Sequence, residues 1–161
     1  PDQGRSKDAP VRLLNRFWRN LTERALGVVI TVTNISMEPT FSEGARAKLE
    51  PRRYRNAKPR RFDVVVVRPL GVDREDIKRI VGLPGELVEI RDGELWIDGE
   101  VVNEPHIADH MPSNWLHTWG TRDHEYIVLG DNRAAPGITD SRRYGPLNAD
   151  SVIGPITRRL D

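Results

Sequence analysis

The sequence predicts a mostly β fold of short antiparallel strands, preceded by an N-terminal helix. Runs of β-branched residues recur along the chain, two Asp-Gly pairs separate short apolar runs as in tight hairpins, and strands do not alternate regularly with helices. The 161 residues, 37% hydrophobic and 30% charged, fit one globular domain.

Charge and cysteine content exclude several functional classes. Twenty-five Lys and Arg residues balance 24 Asp and Glu residues, a net charge of +1, so no nucleic-acid partner is predicted. The absence of cysteine excludes disulfides, thiol nucleophiles, iron–sulfur clusters and Cys-ligated zinc. We expect no cofactor.

Residues 1–26 are predicted to form a polar tail and an amphipathic helix. Apolar residues recur at spacings of four, three and four within Val11–Ala25, and arginines decorate the same stretch. The helix either packs on its own domain or lies on an anionic membrane surface. The apolar positions are Leu14, Trp18, Leu21 and Ala25.

No segment has the length and composition of a membrane-spanning helix. The longest charge-free stretch near the N-terminus, Ala25–Met37, has 13 residues and includes threonine and asparagine. A spanning helix needs about 20 predominantly apolar residues. We therefore expect no transmembrane anchor in this chain.

Seven strands are predicted after the helix. Gly27–Thr33 leads directly to Ser36, and Val64–Val67 lacks alternation, as expected of a strand buried on both faces. Asp92–Gly93 and Asp98–Gly99 are predicted hairpin turns. The other strands are Leu87–Ile90, Leu95–Ile97, Val101–Val102, Tyr126–Leu129 and Val152–Ile156.

Two stretches do not resemble strands. Arg46–Arg61 carries eight basic residues and one acid, Glu50, and is either a solvated loop or a contact for lipid head groups or another polyanion. Pro105–Asp123 holds Trp115 and Trp119, whose rings either cap the core or lie at a membrane interface.

Histidine supplies no convincing base or metal site. The four histidines fall in or next to the long polar excursion, and no cysteine or metalloprotease pattern accompanies them. No metal is predicted, and exposed histidines are expected instead. These residues are His106, His110, His117 and His124.

A serine and a lysine are the remaining candidates for catalysis. Ser36 follows a predicted strand, but a serine hydroxyl becomes nucleophilic only beside a base. Lys78 lies in an apolar, strand-like segment, and a buried lysine with a lowered pKa can accept a proton from serine. Because side chains alternate along a strand, we expect only one of Lys78 and Arg79 to be buried.

Three ordered blocks of sequence carry the clearest functional signal. They are S-M-E-P-T at Ser36–Thr40, K-R-I-V-G-L-P-G-E at Lys78–Glu86, and G-D-N-R at Gly130–Arg133 followed by D-S-R at Asp140–Arg142. In this order they resemble the type I signal peptidases, membrane-anchored Ser-Lys proteases that remove signal peptides from exported proteins. The resemblance extends over about residues 34–158.

The resemblance implies an antiparallel β fold with a catalytic core and a smaller inserted β region. The catalytic domain would span residues 27–161, with the insertion at about 88–125. Substrates would be signal-peptide-bearing preproteins, cleaved after small residues at the extracytoplasmic face of the cell membrane. A membrane surface is therefore an expected partner.

The resemblance also implies a role for each site residue. Ser36 would attack the scissile carbonyl, and Lys78 would act as general base and then as acid to the leaving amine. The oxyanion would bind the backbone N–H of Ser36 and the side chain of Asn34, where the family usually has serine or threonine. A supporting salt-bridge network would comprise Arg79, Asp131, Asp140 and Arg142.

Two departures from the family pattern leave alternatives open. Ile138 stands where the family often has a serine that hydrogen-bonds the lysine, and Thr139 is a possible substitute. The polar stretch Phe17–Arg24 replaces the family's membrane anchor, so either an anchor precedes Pro1 or the chain is a soluble or peripheral relative.

Two other functions remain as alternatives at this stage. The first is a LexA-like self-cleaving Ser-Lys protease attached to a DNA-binding domain, although only 35 residues precede Ser36. The second is a non-catalytic or weakly active relative that binds signal peptides or membrane surfaces.

Overall fold

The computed structural model describes residues Gly27–Leu160, and the predicted N-terminal helix lies outside this range. None of the helices in the described range is long and apolar enough to span a membrane. The range contains a four-residue helix, α1 (Ser141–Tyr144), and 3-10 turns at Arg53–Arg55 and Ala149–Ser151. Its strands are β1 (Val28–Thr31), β2 (Arg46–Leu49), β3 (Val64–Val67), β4 (Asp76–Gly82), β5 (Leu87–Arg91), β6 (Glu94–Ile97), β7 (Glu100–Val101), β8 (His117–Gly120), β9 (Glu125–Leu129), β10 (Leu147–Asn148) and β11 (Val152–Arg159).

The strands form two antiparallel sheets, which confirms the predicted mostly β class. The large sheet has the order β1-β2-β11-β3-β4-β9-β10, and the small sheet has the order β7-β6-β5-β8. All four strands of the small sheet come between β4 and β9, which are neighbours in the large sheet. The small sheet is therefore an excursion from the large one, spanning residues 87–120.

Both Asp-Gly hairpins are confirmed. Arg91 pairs with Glu94 and Ile97 with Glu100, so each turn contains two residues. The aspartate and the glycine of both turns have positive φ, the geometry that matches the twist of the flanking strands.

Strand β4 is covered on both faces, and the prediction that only one of Lys78 and Arg79 is buried is therefore wrong. The two side chains point to opposite faces, yet Lys78 is 1% exposed and Arg79 is 8% exposed. Beyond them, Ile80 packs in a cluster with Val65 and Val128, and Val81 packs in a separate cluster with residues of the small sheet. Apolar layers on both sides of β4 bury both cations.

The basic stretch Arg46–Arg61 is not a loop throughout. Its first four residues form β2, in which Ala47 and Leu49 are buried while Arg46 is exposed. Basic residues at the intervening positions conceal a short alternating pattern. Among the described residues, the sequence also did not predict β8, β10 or α1 as elements.

Candidate active site

Ser36 and Lys78 meet in the interior beside β4 of the large sheet. The Lys78 Nζ donates a hydrogen bond to the Ser36 Oγ at 2.9 Å, although 42 residues separate the two in sequence. Ser36 is 4% exposed and Lys78 1%. Burial lowers the Lys78 pKa, opposed by the negative charges of Asp76 and Asp140 and assisted by Arg74 and Arg142. Lowering this pKa increases the fraction of neutral amine, the form that can accept a proton.

Asn34 holds Ser36 through its side-chain carbonyl. The Asn34 Oδ1 accepts a hydrogen bond from the Ser36 N–H at 3.0 Å and another from the Ser36 Oγ–H at 2.6 Å. The first bond spans two residues and is characteristic of an Asx turn. A backbone N–H is always a donor, so the oxygen of the Asn34 amide must face it. In this state the Ser36 N–H is engaged within the protein.

The loop after β9 fixes the backbone around Ser36. The Asn132 N–H donates to the Ser36 carbonyl at 3.1 Å, and the Asn132 Nδ2 donates to the Ile35 carbonyl at 3.2 Å. A Cβ at Gly130 would lie 2.6 Å from the Ser36 carbonyl oxygen. Only glycine therefore permits this approach of the two backbones.

A buried ion pair connects the three sequence blocks through one residue from each. Arg79 donates to both carboxylate oxygens of Asp131, at 2.8 and 2.6 Å. The Thr40 hydroxyl donates to the same carboxylate, and Arg79 also donates to the Phe62 carbonyl at 2.8 Å. Such a satisfied bidentate pair rigidifies the backbone next to the nucleophile.

Asp140 and Arg142 form a second, separate ion pair. The Asp140 carboxylate accepts from Arg142 Nε and Nη2 at 2.9 and 2.7 Å and from the Gly130 N–H at 3.0 Å. It also caps α1. The resemblance implied one network of Arg79, Asp131, Asp140 and Arg142. The structure instead contains two ion pairs, Arg79–Asp131 and Asp140–Arg142, with Gly130 between them.

A third ion pair was not expected from the sequence. Arg133, which is fully buried, donates to both oxygens of Glu104 and, through Nε, to the Gly130 carbonyl. Arg133 stands in the G-D-N-R block, but its pairing with Glu104 over 29 residues has no signal in the sequence.

The serine and lysine open into a cavity of about 180 Å³. Ile138 and Thr139 line it, but among the described residues Thr139 does not bond the Lys78 Nζ. The cavity is also lined by Asn34, Ile35, Arg74, Asp76, Pro136 and Gly137.

Within the described residues no histidine hydrogen-bonds Ser36 or Lys78. His106 packs against Phe62 with the two rings tilted, whereas His117 stacks on Trp119 with ring centroids 5.1 Å apart. Within residues 27–160 no three His, Cys, Asp or Glu side chains are grouped so as to hold a metal ion.

An antiparallel β fold with a serine beside a buried lysine is typical of a serine protease that uses lysine in place of histidine. The family described as "Signal peptidase, peptidase S26" matches residues 22–160. The chain belongs to this family, and it is a serine protease of the hydrolase class.

Individual relatives agree with this assignment. "Signal peptidase I V" of Bacillus subtilis is 31% identical over 150 residues, covering 84% of this chain and 86% of that protein. "Probable signal peptidase I-2" of Synechocystis is 32% identical, covering 76% of this chain and 58% of that protein. A crystal structure of a signal peptidase I from Enterococcus faecalis superposes with a TM-score of 0.54 at 32% identity, covering 63% of this chain and 98% of that one.

Proposed function

We propose that the chain removes N-terminal signal peptides from exported preproteins, with Ser36 as nucleophile and Lys78 as general base. The observation that carries this proposal is the 2.9 Å hydrogen bond between the Lys78 Nζ and the Ser36 Oγ in a buried site. Membership in the signal peptidase family supplies the substrate class.

The reaction begins with a rearrangement at the Ser36 hydroxyl. Its proton points to the Asn34 Oδ1 and must turn to the lone pair of a neutral Lys78. As Nζ takes the proton, Oγ attacks the scissile carbonyl, and the resulting ammonium then protonates the leaving amine. Water hydrolyses the acyl-enzyme with Lys78 again acting as base.

The oxyanion is proposed to bind the Ser36 N–H and the Asn34 side chain. Both now face each other, so the Asn34 amide must rotate away as substrate enters. Rotation would free the Ser36 N–H and turn Nδ2 toward the developing charge. Two donors in a water-excluded site would then stabilise the tetrahedral intermediate.

Cleavage after small residues is part of the proposal. Ile35 and Ile138 give the cavity beside Ser36, about 180 Å³ in volume, apolar surface against which an uncharged side chain of the substrate would pack. The preference itself comes from the resemblance to signal peptidases.

We also propose that the domain acts at the extracytoplasmic membrane surface. Trp115 and Leu116, 36% and 72% exposed, line a groove that shares Gly137 and Ile138 with the Ser36 cavity. Indole rings favour the membrane interface.

Replacing Trp115 and Leu116 by alanine should reduce flotation with lipid vesicles, whereas Leu70→Ala, a change at an exposed residue outside the groove, should not. Equal flotation of the double variant would contradict this proposal.

The decisive experiment compares cleavage of a preprotein in detergent by the parent chain and by four variants. Ser36→Ala and Lys78→Ala should lower kcat by at least about 10³-fold. Ser42→Ala and Lys58→Ala, at exposed positions, are matched controls expected to cleave normally. Cleavage that survives in either of the first two variants would exclude the Ser-Lys mechanism.

An inactive parent would instead favour the second candidate, a relative that binds signal peptides without cleaving them. Two contacts favour this candidate: the Ser36 N–H and the Ser36 hydroxyl are both bonded to Asn34. Titration of a labelled signal peptide would then show binding without product.

The rate should fall in acid because only neutral Lys78 can act as base. Burial lowers the Lys78 pKa from its usual 10.5, so activity should be retained below that pH and disappear as pH falls through the lowered pKa. Measuring kcat/KM against pH should reveal one acid limb. A rate that stays constant down to pH 4, where carboxylates begin to protonate, would contradict the role of Lys78.

A further inference from the structure

Asp76 is a buried carboxylate in the catalytic cavity that the proposed mechanism does not use. It begins β4 and stands two residues before Lys78, so the two side chains project from the same face of the strand. Both line the cavity that contains Ser36. The residue is only 5% exposed.

One oxygen of this carboxylate has no partner among residues 27–160. The Asp76 Oδ1 lies 3.3 Å from the Arg74 Nε, whose side chain is 55% exposed. The Oδ2 is buried and makes no hydrogen bond with any described residue. An unsatisfied charged oxygen in the interior is costly and calls for a functional explanation.

Lys78 has the complementary deficiency. Within residues 27–160 its Nζ donates one hydrogen bond, to Ser36, whereas the ammonium formed by proton transfer has three donors. Thr139 lines the same cavity but makes no bond to the Nζ. A lysine that gains spare donors on protonation and a carboxylate with a spare acceptor therefore face one small cavity.

We propose that Asp76 is a positioning residue for Lys78, serving as the third member of a Ser36–Lys78–Asp76 arrangement. This inference rests on the proposed function and deepens it. When the Ser36 Oγ–H proton moves to Nζ, the ammonium forms in the cavity that the Asp76 carboxylate also lines. That carboxylate stabilises the ammonium until the proton passes to the leaving amine, and it remains ionised throughout.

The surrounding charges agree with this role. Four charged groups face Lys78. Asp76 begins β4 and Arg74 precedes that strand, while Asp140 and Arg142 lie at the start of α1. Asp140 is bonded to Arg142 and Gly130, so its charge is already compensated. Within the described part of the chain Asp76 is paired with Arg74 alone, and its negative charge raises the Lys78 pKa more than that of Asp140 does. The Tyr144 side chain is close to the same charges, since burial and the charges of Asp140 and Asp76 raise its pKa.

Asp76→Asn tests the proposal because it keeps the shape and removes the charge. We expect the acid limb of kcat/KM to move to lower pH by about one unit, since the Lys78 pKa falls further. The plateau rate should fall about tenfold as the ammonium loses its counter-charge. Arg74→Gln should move the limb the opposite way, to higher pH, because a positive charge is removed.

Glu75→Gln is the matched control. This neighbouring carboxylate does not line the cavity and is paired with Arg68, so its removal should leave the acid limb in place. A limb that stays unmoved in Asp76→Asn, or moves to higher pH, would overturn the proposal. Altered substrate preference with an unmoved limb would also overturn it and make Asp76 a substrate-binding residue.

A direct titration separates this inference from the proposed function. The chain has four lysines, so NMR of ¹³C-lysine-labelled protein can assign Lys78 by comparison with Lys78→Ala. The Lys78 pKa should be lower in Asp76→Asn than in the parent, and an equal pKa would refute the coupling. Inactivity of the parent would contradict the proposed function, while this titration would still decide on Asp76. Thermal unfolding of each variant verifies that it is folded.

Discussion

The proton of the Ser36 hydroxyl has two possible acceptors, the Asn34 Oδ1 and the Nζ of a neutral Lys78. In the resting state the hydroxyl donates to the Asn34 Oδ1, while the Lys78 Nζ donates to its oxygen. Both bonds stabilise the serine as an alcohol rather than as a nucleophile. Asn34 is therefore an acceptor before the reaction and is proposed as a donor during it, so its amide must change orientation within each cycle.

Three substitutions at Asn34 separate these two roles. Asn34→Asp keeps the acceptor of the Asx turn but has no donor, so it should lower kcat by about 10²–10³-fold with little change in KM. Asn34→Ser, which supplies a hydroxyl donor, should remain within about tenfold of the parent, and Asn34→Ala should resemble Asn34→Asp. Full activity of Asn34→Asp in steady-state kinetics would show that this side chain only supports the turn.

The sequence predicted that Ser36 and Lys78 would lie together but not the environment of the charges around them. Ser36 and Lys78 stand in recognisable motifs, and a bond between them follows from the resemblance. The unpaired oxygen of Asp76 depends on the distances to all its neighbours, which no linear pattern contains. The burial of Arg79 was missed because strand alternation describes one face at a time, whereas β4 is covered on both.

At the scale of elements, the two hairpins of the small sheet differ in how their glycines are packed. Gly93 and Gly99 have φ of 80° and 85°, so alanine at either position is strained. A Cβ at Gly93 would lie 2.5 Å from the Met111 carbonyl oxygen, but at Gly99 it would meet no atom within 4 Å. The two Asp-Gly turns are equivalent in sequence, but the fold tolerates a side chain at Gly99 better than at Gly93.

Alanine scanning of these turns should show the difference. Gly99→Ala should lower the free energy of unfolding by about 1–2 kcal/mol, the cost of a left-handed conformation. Gly93→Ala should cost distinctly more, about 3 kcal/mol or above, because the backbone at Met111 must also move. Urea unfolding measures both, and equal losses would contradict the packing described here.

The strands and turns that were predicted correctly are those that a few neighbouring residues specify by themselves. The Asp-Gly turns and the valine run of β3 were predicted because glycine conformation and β-branched residues specify them locally. Strands β2, β8 and β10 were missed because they are two to four residues long and carry polar or basic residues at exposed positions. Their strand conformation comes from pairing with neighbours distant in sequence.

At the scale of the molecule, the Arg133–Glu104 pair connects the small-sheet excursion to the catalytic loop. Glu104 follows β7, and Arg133 follows β9 and donates to the Gly130 carbonyl beside Ser36. The division into a catalytic domain over 27–161 and an insertion at about 88–125 remains a prediction. This ion pair is one contact through which the excursion can influence the backbone beside Ser36.

Removing one member of that pair should weaken both stability and catalysis. Glu104→Gln leaves the fully buried Arg133 guanidinium without its counter-charge, and breaking a buried pair typically costs about 3–5 kcal/mol. We expect a loss of that order in urea unfolding, together with a lower kcat, because the Gly130 carbonyl loses a rigidly held donor. The exposed Glu100 of β7 provides the control, since Glu100→Gln should change the free energy of unfolding by less than about 0.5 kcal/mol. If Glu104→Gln unfolded like Glu100→Gln, the pair would contribute little, and the excursion and the catalytic loop would be held together by the apolar cluster of Val81, Val88 and Ile127 instead.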